Sequence, residues 1–253
     1  MGLALTELKK YDEAKEILKQ ATKINPKFAE AYNNLGNIYK AIKQFYIAIM
    51  YFRKALRIDK NLAGIHNNLG HTFTLIGDRR NLIHHRIASS LEPHNMELYS
   101  PILFNSNYSP DMNAEEIFEY YKQFDQRFGL PNKVKWKAFA QPKVTIKKLK
   151  IGYMSPDFRY HSMNPFFSCI LSHHNHDKFE IFAFAELENE DKVSQEYKSY
   201  VDHWIRTDGM KDDQLVQKIR DMEIDILVDL AGHTRNNRLI IFVKKPAPVS
   251  LSW

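Results

Sequence analysis

Two short polar stretches carry side chains that could do acid–base or hydrogen-bonding chemistry. Ser155-Pro-Asp-Phe-Arg-Tyr-His-Ser162 places Asp157 four residues before His161, and Ala231-Gly-His-Thr-Arg-Asn-Asn237 places His233 beside Thr234. An imidazole with an ordinary pKa of about 6.5 can take or give a proton near neutrality, and a nearby carboxylate can orient it. Any one of these histidines could instead be a hydrogen-bonded loop residue. The site reading gains from position, because each stretch directly follows an apolar run of strand length: Lys150–Met154 before the first and Ile224–Leu230 before the second.

Other reactive residue types read differently. His173-His-Asn-His176-Asp177 offers imidazole and carboxylate donors that suit zinc. It falls between a helix and a strand, away from the two polar stretches, and is read as a solvated loop, so no metal is expected. His84-His85 shows no ligand pattern. Cys169 is the single cysteine, which excludes an intramolecular disulfide and a multi-cysteine zinc site and fits a reducing, cytoplasmic setting. Within Pro165-Phe-Phe-Ser-Cys-Ile-Leu171 it is expected to be a buried small hydrophobe rather than a nucleophile.

The elements that must position these residues alternate. Strand Lys150–Met154, helix 163–174, strand Phe179–Ala185, helix 190–201, strand His203–Arg206, helix Lys211–Met222, strand Ile224–Leu230, helix Asn236–Val243 and strand Pro248–Trp253 follow in order. Such βα alternation predicts a parallel sheet of about five strands covered on both faces, with chemistry beyond the carboxyl ends of the strands. The sheet is Rossmann-like, yet no G-x-G-x-x-G follows the first strand, so dinucleotide binding has no support.

Residues 1–95 have a different organisation. Gly2, Gly36 and Gly70 are 34 apart, as are Asn33 and Asn67, Asn34 and Asn68, Leu35 and Leu69, Ala14 and Ala48, and Ala21 and Ala55. A 34-residue period with this small/large pattern resembles the tetratricopeptide (TPR) repeat, a pair of antiparallel helices stacked on its neighbours. The first unit lacks most of its first helix, and the third is degenerate, with Arg79, Arg80 and Leu82 at aromatic and small positions. Asn34 and Asn68 could form a ladder holding a peptide backbone in the groove, or could be polar residues on an exposed helix face. Residues 96–145 read as a joint: a helix from Met112 to Phe128, capped by Asn113 and Glu116 and ended by Gly129 and Pro131, then a linker through 145. Residues 146–253 are the βα region.

Composition narrows the function classes. The formal charge is +6, but residues 1–95 carry 15 Lys and Arg against 8 Asp and Glu while residues 96–253 carry 21 against 22. The excess lies on the repeat helices with no run of interleaved aromatics, so nucleic acid is not an expected partner. No apolar run approaches the roughly 20 residues a membrane span needs, and charges within the first thirteen positions argue against a secretory signal. The start Met1-Gly2-Leu-Ala-Leu-Thr6 fits a loose myristoylation pattern, but Gly2 is better explained as a repeat glycine.

The βα region resembles the O-GlcNAc transferase and SPINDLY family of glycosyltransferases (family 41), particularly its bacterial SPINDLY-like branch. The resemblance rests on Leu103–Asp111 with Ala114-Glu-Glu-Ile-Phe118, Ile151–Ser162, Phe179-Glu-Ile-Phe182, Asp225–Thr234, Asn237-Arg-Leu239 and Pro246-Ala-Pro-Val249, with TPR repeats ahead of them. It implies a TPR α-solenoid followed by the N-terminal Rossmann-like lobe of a GT-B fold. It further implies inverting transfer of a sugar from a nucleotide donor, UDP-GlcNAc or GDP-fucose, to Ser or Thr of proteins held by the repeats, with no other cofactor. His161 then matches the active-site histidine, Asp157, His233 and Thr234 line the cleft, and His203 matches a further family histidine. Met163-Asn164-Pro165 departs from the family's Val-small-Tyr run and is expected to tilt the following helix, and Asn236 stands where the family usually has Gly. The resemblance continues past Trp253 into a second lobe that holds most of the donor, so the chain reads as a fragment that is inactive alone and could associate through an exposed lobe face. A peptide-binding scaffold without catalysis is the alternative reading.

Overall fold

The computed structural model describes residues 10–139 and 147–252 and divides into two compact units, 1–123 and 124–253. Gly2 and the Met1–Thr6 pattern, linker positions 140–145 and Trp253 lie outside the described residues.

Among the described residues of the first unit, five helices come first: α1 (Tyr11–Ile24), α2 (Ala29–Ala41), α3 (Phe45–Ile58), α4 (Ala63–Leu75) and α5 (Arg80–Leu91). Their small residues do what the period requires. Ala14, Ala48 and Ala55 are completely buried, and a Cβ on Gly36 would stand 2.5 Å from the Phe52 ring. Gly70 has the same role in the degenerate third unit, where His85 replaces the aromatic: a Cβ there would lie 2.7 Å from its ring. The helix pair therefore forms although Arg86 occupies the position 34 residues after Phe52.

A single 3-10 turn (Met96–Leu98), α6 (Ser100–Ser106) and α7 (Ala114–Phe124) follow. The capping box at the start of α7 is present in both directions. The Glu116 N–H donates to Asn113 Oδ1 and the Asn113 N–H to Glu116 Oε2, both at 2.9 Å. Its end differs from expectation. Gly129 and Pro131 do not stop the chain of turns; a π turn (Asp125–Gly129) leads into the short helix α8 (Leu130–Lys133). Pro131 sits in the first turn of α8, where a missing N–H costs nothing. A side chain at Gly129 would collide with the Asp125 carboxylate.

The second unit holds a five-stranded, all-parallel sheet in the order β3-β2-β1-β4-β5, where β1 is Leu149–Ser155, β2 Phe179–Ala185, β3 His203–Arg206, β4 Ile226–Asp229 and β5 Val249–Ser252. Helices α9 (Asn164–Ser172), α10 (Lys192–Lys198), α11 (Asp212–Asp221) and α12 (Leu239–Phe242) connect the strands. Alternating strand residues feed two cores. Ile151, Tyr153, Ile181 and Ala183 pack with Phe167, Leu171 and Tyr197 on one face, and Met154, Phe182, Phe184 and Leu227 with Leu215, Ile219 and Ile241 on the other.

Cys169 is exposed, contrary to expectation. Phe167 and Leu171 turn the inner face of α9 to the sheet, and Cys169 lies two residues from each, about 200° around the helix. Pro165 falls at the start of α9, where its fixed φ suits the first turn. Among the described residues no helix is long and apolar enough to cross a membrane.

Candidate functional site

From β1 the chain steps outward through β2 to β3, then returns to lay β4 on the other side of β1. The reversal between β1 and β4 is the topological switch point at which open parallel sheets bind ligands. The loops leaving these adjacent strands are the two polar stretches that carry His161 and His233. The strand ends are level, with Ser155 opposite Ala185, Met154 opposite Asp229 and Asp229 opposite Ser252.

The β1 loop is anchored from below. Phe158 is completely buried against Tyr197 and Trp204, its carbonyl accepts from Ser194 Oγ at 2.8 Å, and the Tyr160 N–H donates to Asp191 Oδ2 at 2.7 Å. Asp157 is buried; its N–H donates to Ser155 Oγ at 3.0 Å and its Oδ1 lies 3.4 Å from Arg159 Nη2. His161 remains 35% exposed, with Nε2 3.8 Å from Asp157 Oδ1 and Nδ1 accepting the Met163 N–H at 3.4 Å. With Nδ1 engaged as acceptor, the neutral ring carries its proton on Nε2, and 3.8 Å is too long for a hydrogen bond to Asp157. That N–H can serve an incoming group.

Asp229, which the sequence reading passed over, organises the β4 loop. It is completely buried at the strand end and accepts from the Ala231 N–H (3.1 Å), the Gly232 N–H (2.8 Å) and the Ser252 hydroxyl (2.7 Å). Burial pushes its carboxyl pKa up, against the opposing pull of these bonds. Thr234 forms the turn itself: its hydroxyl donates to the Ala231 carbonyl at 2.8 Å, and its own carbonyl accepts from Asn237 Nδ2 at 2.7 Å. Asn236 has φ +61°, a left-handed conformation that asparagine tolerates and glycine favours. His233 stands edge-on to Phe124, ring centroids 5.0 Å apart, and burial lowers its pKa to about 4, which keeps it neutral at physiological pH.

Arg238, in the sequence only a member of the Asn237-Arg-Leu239 motif, closes the loop. Its guanidinium reaches Glu186 Oε2 (2.9 Å), Asp212 Oδ1 (2.7 Å) and the carbonyls of Thr207 and Met210 (3.1 and 2.8 Å), tying the β4 loop to segments that follow β2 and β3. The Thr207 hydroxyl donates to the same Glu186 oxygen at 2.7 Å.

His203 does not join this edge. It opens β3, three residues before the strand's carboxyl end and so about 10 Å below it. There it lies 2.7 Å from Glu180 Oε1 and stacks on Phe182 at 4.2 Å, a surface arrangement. The histidine-rich loop is divided among separate partners: His173 with the Cys169 carbonyl, His174 with the Tyr153 hydroxyl and His176 with Asp202. Among the described residues no three His, Cys, Asp or Glu side chains could hold a metal ion.

In the repeats, Asn68 on α4 is already engaged. Its Nδ2 donates to Asn33 Oδ1 and its Oδ1 accepts from Lys40 Nζ, both at 3.1 Å. The bond linking the two repeats thus runs to Asn33 rather than to Asn34, which is half-buried on α2.

Residues 127–253 match the family described as Glycosyl transferase family 41, and residues 2–43 and 29–62 match TPR repeats. Among curated relatives, the "Probable UDP-N-acetylglucosamine--peptide N-acetylglucosaminyltransferase SPINDLY" of Hordeum vulgare is 28% identical over 155 residues, 60% of this chain and 16% of its own. The correspondingly named SEC of Arabidopsis thaliana is 30% identical over 135 residues, 50% of this chain and 13% of its own. A mutant of the Thermobaculum terrenum O-GlcNAc transferase superposes over 100% of this chain with TM-score 0.84 at 23% identity, which shows a shared fold. This chain corresponds to 48% of that structure, so it spans only part of the proteins it matches. With helical repeats preceding a parallel sheet whose switch-point loops carry the matched motifs, the chain belongs to glycosyl transferase family 41.

Proposed function

We propose that the chain is part of a protein O-glycosyltransferase that moves a sugar, GlcNAc in the first instance, from a uridine diphosphate donor to Ser or Thr of acceptor proteins. The observation that carries the reading is the pairing of an accessible His161 with an ordered β4 loop at the switch point of a family 41 sheet. Curated relatives named as UDP-N-acetylglucosamine–peptide transferases support the donor and the acceptor class.

In an inverting transfer the acceptor hydroxyl oxygen bonds to the anomeric carbon from the face opposite the departing diphosphate. The bond from that carbon to the leaving oxygen breaks, and the hydroxyl proton passes to a base or to solvent. His161 is the residue that meets the reacting groups, with its Nε2–H offered to them. Asp157 stands 3.8 Å from that nitrogen and adds negative potential beside it, and His233, neutral at working pH, lines the cleft without adding charge. Asn34 and Asn68 contact the acceptor along the repeats, for which Asn68 exchanges its present partners. Because the chain spans only 48% of the O-GlcNAc transferase structure it matches, these 253 residues alone are proposed to be inactive, with most donor contacts supplied from outside them.

The test is transfer of label from UDP-GlcNAc, with GDP-fucose alongside, by the product of the complete coding region. Transfer that falls at least about a hundredfold in His161→Ala is expected, on the scale of losing one positioned donor to the reacting groups. A complete product that neither binds nor transfers either donor would sink the enzyme reading and leave a peptide-binding scaffold.

A further inference from the structure

Helix α3 carries a face that neither the repeat packing nor the sheet-edge site uses. No Asp or Glu occurs from position 31 to position 58, a stretch that contains all of α3. Ala48, Ile49, Phe52 and Ala55 form its buried side. Tyr46, Met50, Arg53 and Arg57 follow one another at spacings of four, three and four, so they make one stripe on the other side, flanked by Lys54. Tyr46 is 79% exposed and Met50 43%, large values for apolar side chains on a repeat helix. Ile76 and Arg80 of the next repeat face this stripe across a groove of about 310 Å³.

Four cations and no carboxylate line the groove. The nearby Asp78 is engaged by Arg80, whose guanidinium holds it at 2.6 Å and, with a weaker pull from Arg53, lowers its pKa to about 2. Among the described residues no carboxylate stands within ion-pair distance of Arg53, Lys54 or Arg57; Lys54 lies over the rings of Tyr32 and Tyr51.

We propose that this groove docks an acidic amphipathic helix of a partner protein. One bulky apolar side chain of that helix seats against Tyr46, Met50 and Ile76, and two of its carboxylates, one turn apart, meet Arg53 and Arg57. Cations at i and i+4 stand about 6 Å apart on α3, the spacing that Asp or Glu one turn apart on an incoming helix presents. A second copy of this surface is a poor occupant, because its excess of Lys and Arg over residues 1–95 would meet its own kind. Single-stranded nucleic acid lacks the stacking path it needs, since Tyr46 is the only aromatic in the lining. Neither Asn34 nor Asn68 is among the residues that line the groove, and the proposal stands independently of the transferase reading.

The probe is a fluorescein-labelled, lactam-stapled helix of about four turns with two Glu residues one turn apart and a single Leu, titrated by anisotropy into the 253-residue chain. The expected result is saturable binding that weakens at least about tenfold in the Arg53→Glu/Arg57→Glu variant and several-fold in Met50→Ala. A control, Lys23→Glu/Lys27→Glu, removes the same charge at exposed positions elsewhere and is expected to leave binding within about twofold. Helical circular dichroism of each variant separates loss of binding from loss of fold. Equal weakening in the control, indifference to Met50→Ala, or full displacement by an oligonucleotide of matched charge would overturn the proposal in favour of general polyanion attraction. So would absence of binding, or self-association of the chain abolished by the Arg53→Glu/Arg57→Glu variant.

Discussion

Arg238 and Asp229 decide how well the switch-point edge is held, and they do so through different physics. The Arg238 and Glu186 side chains are only 16% and 17% exposed, so removing the guanidinium strands a mostly buried carboxylate along with Asp212. Breaking a fully buried pair costs about 3–5 kcal/mol; with solvent still reaching this one, Arg238→Ala is expected to cost about 2–3 kcal/mol in urea unfolding. Arg238→Lys is expected to recover little of it, because a point charge cannot span two carboxylates and two carbonyls. Asp229→Asn turns one acceptor oxygen into a donor that faces either the Ala231 N–H, at Oδ1, or the Gly232 N–H and the Ser252 hydroxyl, at Oδ2. Faster amide exchange across residues 231–237 is the expected outcome, with protection of the β1 loop retained. The loops around His161 and His233 were legible because polar runs follow strand-like ones. Arg238 was not, since its carboxylate partners lie 52 and 26 residues away and only the folded sheet brings them together. Thr234 and His203 have the residue types of a site, yet one shapes a turn and the other sits at the wrong end of its strand.

At the scale of elements, bounded apolar runs gave away their strands: Phe179–Ala185 and His203–Arg206 are found at the positions expected. Helix faces were harder to assign. In α9 a nearly continuous apolar run hid which side meets the sheet, and only the pairing of Phe167 with Leu171 turns Cys169 outward. In α5 the repeat pattern is lost from the sequence but not from the packing, because Gly70 survives and His85 fills the place of a phenylalanine. That substitution has an acid-dependent consequence. The His85 Nδ1–H donates to Asn67 Oδ1 at 3.1 Å, while Nε2 is buried with no partner among the described residues, so protonating it would bury an uncompensated charge. Burial, with His71 and His84 nearby, pushes its pKa down to about 3. The unfolded chain binds a proton below about pH 6.5 and the folded chain does not until about 3, so stability falls as pH drops through that window and is unaffected above it. Between about pH 6.5 and 5 His85 alone accounts for about 2 kcal/mol. His85→Phe, which reproduces the pairing of Phe52 with Gly36, is expected to hold or raise stability at about pH 7.5 and to exceed the parent by about 2 kcal/mol more at about pH 5, as read from denaturant unfolding at both pH values.

At the scale of the whole chain, the following clusters among the described residues each draw on one unit. The repeat clusters centre on Leu35, Phe52 and Phe73, and the sheet clusters on Tyr153, Phe184 and Leu227. The sequence changes period across residues 96–145, from 34-residue helical pairs to alternating strands and helices. It could not place the division within α7, whose capping box and apolar face mark a single helix; the two units part between Gln123 and Phe124. Two glycines offer a matched test of this organisation. A Cβ on Gly36 would meet Phe52 at 2.5 Å, and one on Gly152 would meet Phe184 at 2.8 Å and Leu227 at 2.9 Å. Both rings are buried and cannot swing into solvent, so each alanine overpacks its core and costs about 1–3 kcal/mol. Gly36→Ala is expected to speed amide exchange in α2 and α3 while β1, β2 and β4 keep their protection, and Gly152→Ala is expected to do the reverse. Loss of protection throughout the chain from either substitution would mean that the two cores open as one cooperative unit, against the local opening expected.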